Sequence, residues 1–176
     1  MSIGFVQQIT TTMKFYLIVL VLLFQSTFFA QDYQKAKDPK MLGKFVFKSI
    51  QEERYGIFLD YIFTEEDVIK MMKKAKVSKS EKETVSKQMQ DVAKNIRLGS
   101  KKNFYNIISS GKLKGIVWKE VKLIEVSYSI REKENIQMAD VFLICSFKNV
   151  SFNIKLDNCF KSQTWLMLDQ IYLNFD

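Results

Sequence analysis

Hydrophobic positions follow two different periods along this chain. Between residues 39 and 110 they recur at helical spacing, and between residues 114 and 174 they alternate as in strands. Met41, Leu42, Phe45, Val46 and Ile50 form one stripe, with Pro39 suited to the first helical turn and Asp38 to the cap. A short helix is expected over Ile57, Phe58, Tyr61 and Ile62. Thr64 followed by Glu65-Glu66-Asp67 predicts a third start, since a hydroxyl and acids meet the exposed N–H groups of a first turn. Val68, Met71, Met72 and Ala75 give that helix its buried face. Ser78 or Ser80 caps the next, in which Val85, Met89, Val92 and Ile96 recur at spacings of four, three and four. Leu98-Gly99-Ser100 is expected to end or kink it, and Phe104, Ile107 and Ile108 to form a last stretch.

From Gly115 onward the period is two. Val117, Val121 and Leu123 share one parity, whereas Ile124, Val126, Tyr128 and Ile130 share the other. A β-bulge between Leu123 and Ile124 accounts for the switch and bends the strand. Arg131–Asn135 reads as a charged turn. Residues 136–147 are apolar on both parities from Val141 to Cys145, which predicts a central strand covered on both faces. Lys148-Asn149 reads as a tight turn, followed by Phe152, Ile154 and Leu156 alternating with polar residues. A final strand is expected over Thr164–Leu173. Helices followed by a block of strands imply an α+β fold, with N-terminal helices packed on a curved four-stranded antiparallel meander.

Ahead of these elements stands a different signal. Lys14 precedes the unbroken apolar and aromatic run Phe15–Phe24, and polar and small residues lead to Ala30. This is the pattern of a secretory signal peptide over residues 1–30. The run is short for a hydrocarbon core of ~30 Å. Met13-Lys14 resembles a second start, with residues 1–12 an upstream extension. Residues 31–176 then form a single exported domain, secreted or periplasmic. An uncleaved leader is the alternative, and the only route to a membrane.

Composition narrows the chemistry. Of 176 residues, 47% are hydrophobic, which suits a globular domain, and none is histidine. Imidazole catalysis and histidine metal ligation are therefore excluded. The net charge of +8 reads as solubility in an exported protein, and no nucleic-acid partner is expected. The lysine-rich stretch 70–102 reads as a solvated helix surface. No metal site and no cofactor are expected. A hairpin turning at Lys148-Asn149 sets Cys145 opposite Phe152 and Cys159 far along the partner strand, which favours two buried thiols. A disulfide, worth about 3 kcal/mol at this loop length, is the alternative.

Helices packed on a bent meander that closes with Trp165-Leu166-Met167-Leu168-Asp169-Gln170-Ile171 resemble the nuclear-transport-factor-2-like (cystatin-like superfamily) cone fold, a form common among small exported bacterial proteins. The resemblance extends over residues 39–174 and implies a pocket between sheet and helices. It implies no activity, because the fold hosts enzymes, binding modules and assembly domains. Trp118, Tyr128, Phe142 and Trp165 are the aromatics that would line such a pocket around a small apolar ligand, or else fill the core. The function expected is that of a non-enzymatic binding or interaction module, with a protein partner or a second copy of the chain also in view. The alternative is a histidine-free isomerase or lyase with Asp140 as base and Tyr128 as hydrogen-bond donor, as in ketosteroid-isomerase-like members of the superfamily.

Overall fold

The computed structural model describes residues 35–168 and 170–175, which belong to one compact unit starting at Lys35. The leader expected over residues 1–30 lies outside the described residues. Among the described residues, no helix is long and apolar enough to cross a membrane.

Among the described residues, four α-helices precede the sheet: α1 (Pro39–Gln51), α2 (Tyr55–Leu59), α3 (Glu65–Lys74) and α4 (Lys79–Leu113). Their starts follow local capping chemistry. The Asp38 carboxylate accepts from the Met41 amide at 2.7 Å. Thr64 and Asp67 form a reciprocal capping box at α3, and Ser78 and Glu81 do the same at α4. The break expected at Leu98-Gly99-Ser100 is absent, and α4 runs through it as one helix of 35 residues. A glycine inside a helix costs only about 1 kcal/mol relative to alanine. Ser100 is instead tied in, its hydroxyl donating to the Arg97 carbonyl at 2.7 Å and lying 2.8 Å from the Tyr55 hydroxyl.

A 3₁₀ turn (Trp118–Glu120) leads into the sheet of β1 (Lys122–Lys133), β2 (Ile136–Phe147), β3 (Val150–Lys161), β4 (Trp165–Met167) and β5 (Ile171–Phe175). The order is β1-β2-β3-β4, all antiparallel, with β5 also on β3. The expected last strand is thus interrupted. β4 pairs with the far end of β3 and β5 with its start, and a bulge at Asp157-Asn158 separates the two pairings. Leu168 and Gln170 keep hydrogen bonds to Asn158 and Asp157 across the gap. The bulge expected in β1 is present, with Ile124 as the extra residue between the Leu123–Cys145 and Glu125–Ile144 pairs. The charged turn shrinks to Glu134-Asn135, both at positive φ (54° and 64°). Such a two-residue loop matches the natural twist of a hairpin, so β1 continues through Lys133.

The inner face of the sheet carries Val126, Val141, Leu143, Cys145, Phe152, Ile154 and Leu156, all buried. α1 lies on it, close enough that Gly43 leaves no room for a side chain against Val126 and Leu143. On the outer face, one end is also covered. Phe160, Leu166 and Met138 pack there with Phe63, Val68, Met71 and Met72, a second apolar cluster. The lysine amide at position 76, in the α3–α4 connection, donates to the Glu134 carbonyl of the hairpin turn. The helices therefore clasp the sheet, with α1 and the C-terminal half of α4 in the inner-face core and α3 with the N-terminal half of α4 at one end of the other face.

Candidate functional site

The lateral edges of the sheet are treated differently: one is β1, and the other is shared by β4 and β5, of which β5 pairs only with β3 among the described residues. An edge strand presents a row of unpaired N–H and C=O groups, which proteins usually cover. The β4 edge is covered. The Trp165 amide donates to the Ala36 carbonyl at 2.9 Å, the Met167 amide to the Tyr61 carbonyl at 2.8 Å, and the Phe63 amide to the Met167 carbonyl at 3.0 Å. Arg97 fixes this covering segment by donating to the Leu59 and Ile62 carbonyls at 3.2 and 3.0 Å. Among the described residues, β1 pairs only with β2, along the whole of its length.

Two apolar side chains stand beside that open edge. Tyr128 and Ile130 lie opposite Val141 and Ala139, so they belong to the inner face. Their partners on β2 are fully buried, yet Tyr128 is 43% exposed and Ile130 51%. The inner apolar face thus runs past the helices and ends in solvent at β1.

A polar network occupies the outer face at the β3 bulge. Asp140 accepts from Arg131 Nη1 and from the Asn158 amide, both at 3.2 Å, and Arg131 Nη2 donates to the Asn158 side chain at 2.7 Å. Burial pushes the Asp140 carboxyl up, but the Asn158 amide and the Arg131 guanidinium outweigh it and hold the group below the usual value. Lys155 pairs with Asp157 at 2.7 Å, and its ammonium lies 5.8 Å from the centre of the Phe142 ring. Two acids and two bases offset each other here, which closes the bulge.

The residues singled out in the sequence are not brought together. Asp140 faces Ser129, and Tyr128 faces the next β2 residue, Val141, so the carboxylate and the phenol point to opposite faces of the sheet. A carboxylate already ion-paired and held low is also poorly suited to act as a base at neutral pH. Phe142 is half-buried on the outer face. Trp118 is 1% exposed and Trp165 2%, both inside the inner-face core. Trp118 packs edge-on against Phe152, and its indole N–H donates to the Ile108 carbonyl at 3.0 Å. The four aromatics therefore occupy two faces and do not line one cavity.

An open groove of about 370 Å³ does occur, but between α3 and α4, with Ile69 and Met72 on its floor and Lys73, Lys82, Lys87 and Glu83 around it. Cys145 and Cys159 are buried free thiols. Burial raises the Cys145 thiol to about 12 and also raises that of Cys159, so neither is a nucleophile at neutral pH. The described residues hold no group of three Cys, Asp or Glu side chains that could hold a metal ion. The meander order already sets the first strand at an edge; not legible in the sequence was that Ala36, Tyr61 and Phe63 cover β4 while Tyr128 and Ile130 stay exposed on β1. The chain matches no family model, no curated protein and no solved structure.

Proposed function

We propose that this chain is an exported, non-enzymatic interaction module that meets a partner polypeptide along β1. One observation carries the reading: an apolar inner face that continues, at Tyr128 and Ile130, beyond the helical layer to an edge strand paired on one side only. A chain that adds to such an edge gains main-chain hydrogen bonds and, at alternate positions, apolar contacts. The ion-paired state of Asp140 and the buried state of both thiols favour interaction over catalysis. The apolar run Phe15–Phe24 behind Lys14 supports export. The resemblance to the nuclear-transport-factor-2-like cone rests on the same order of helices and bent meander.

Native mass spectrometry of the protein recovered from its own export compartment tests this reading. The expected result is a chain lacking the leader, bound to another polypeptide and carrying no small molecule. A retained metabolite on a monomeric chain would contradict it.

A further inference from the structure

β1 is nearly its own complement. Around Tyr128 the strand reads Glu125-Val126-Ser127-Tyr128-Ser129-Ile130-Arg131. When two copies run antiparallel about a two-fold axis at Tyr128, Glu125 falls opposite Arg131, Val126 opposite Ile130 and Ser127 opposite Ser129. Tyr128 meets its own counterpart. Residues opposite each other in an antiparallel pair share a face, so this register sorts itself correctly. Val126, Tyr128 and Ile130 of both copies fall on the inner apolar side. Glu125, the serines and Arg131 fall on the outer side, with each glutamate against an arginine.

The neighbouring registers lack this sorting. An axis at Ser129 sets Val126 against Glu132, and an axis at Ser127 leaves Arg131 without Glu125. The bulge at Ile124 bounds the usable ladder at one end, one residue before Glu125. Charged side chains on an edge normally deter pairing, but here the two that flank the apolar stretch are opposite in sign.

We propose that β1 pairs with β1 of a second copy in this register, joining two sheets into one continuous antiparallel sheet. The inference rests on the interaction reading above and names the partner. A two-fold contact of this kind is isologous and closes at the dimer, so it does not propagate into fibres. It covers Tyr128 and Ile130, the exposed end of the inner face. Arg131 keeps Asp140 and Asn158 and gains a second carboxylate.

The axis supplies a geometric test. Opposed residues in an antiparallel pair lie about 4.5–5.5 Å apart at Cα, within disulfide range, whereas a residue one position off the axis stands two positions from its own counterpart, beyond that range. Tyr128→Cys in the full chain is therefore expected to give a disulfide-linked dimer under mild oxidation, and Ser127→Cys is not. Both native thiols are buried and do not compete. Glu125→Arg sets arginine against arginine at both ends and is expected to weaken dimerisation in sedimentation by about tenfold or more. Mixing it with Arg131→Glu restores a heterodimer. A chain that sediments as a monomer at about 100 μM, ample for a small interface, overturns the inference. So does a dimer that ignores Glu125→Arg and leaves the cysteine at 128 unlinked. If the exported protein carries a different polypeptide and no second copy, this inference fails and the interaction reading stands. If it carries neither, both fail.

Discussion

Gly111 is the seat of Trp118. A Cβ placed on Gly111 would lie 2.5 Å from Cζ2 of the indole. The chain leaves α4, reverses at Gly115 (φ 78°) and lays the tryptophan back across the last turn of the helix it has just left. The end of the long helix and the entry to the sheet are locked together by this fit.

The two glycines of α4 should therefore respond oppositely. Gly111→Ala is expected to lower stability by about 1–3 kcal/mol, because the indole must shift within a filled core. Gly99→Ala meets nothing within 4 Å and should raise stability by about 0.5–1 kcal/mol through helix propensity alone. Urea unfolding of both variants checks the contrast. A loss of stability for Gly99→Ala would mean that α4 is broken where it is described as continuous.

The β1–β2 turn holds a correctable cost. Glu134 sits at φ 54°, where a glutamate lacks the local hydrogen bonding that lets asparagine tolerate the left-handed region. Glu134→Asn should gain about 0.5–1 kcal/mol, read from the shift in the urea midpoint. A loss would show that the Glu134 side chain is needed there.

Asp140 sets a dependence on acid. Its carboxyl is lower in the folded chain than its ordinary 3.8, so its contribution to stability is present above that value. That contribution fades as pH falls through the lower, folded value. The stability difference between the native chain and Asp140→Asn is expected to be steady near neutrality and to shrink below about pH 4, when the two are compared by urea unfolding. A difference that changes between about pH 5 and 7 would instead reveal a carboxyl raised into the range of a general base.

Cys145 and Cys159 should be silent toward thiol reagents. Only thiolate reacts, and burial suppresses it at both positions. Neither is expected to be labelled by iodoacetamide near pH 8 in the folded protein, and both in about 6 M guanidinium. An unfolded chain that takes up no label would show that the two are bridged.

Much of the fold was legible because its signals are local. Asp38, Thr64 and Ser78 announce helix starts through cap chemistry that depends on three or four neighbours. The parity switch at Leu123 and Ile124 locates a bulge because alternation has only two states. Other features depend on partners far away in sequence. Gly99 reads as a break until Ser100, Arg97 and Tyr55 are seen to hold the helix through it. The interruption after Met167 follows from the bulge at Asp157-Asn158 in the strand it pairs with. Of the outer-face cluster the sequence showed the helix face Val68, Met71 and Met72, but not that Phe160 and Leu166 lie against it. Asp140 and Tyr128 both lie on strands, as expected, but only the β1–β2 register reveals that they face opposite ways.

Amide hydrogen exchange of the full chain at low and high concentration tests the central claim most directly. The amides of Glu125–Arg131 that point away from β2 should exchange quickly in dilute solution and become protected as the protein is concentrated, with the α3–α4 groove unchanged. Rapid exchange of those amides at every concentration, or protection gained only at Lys73, Lys82 and Lys87, would contradict it.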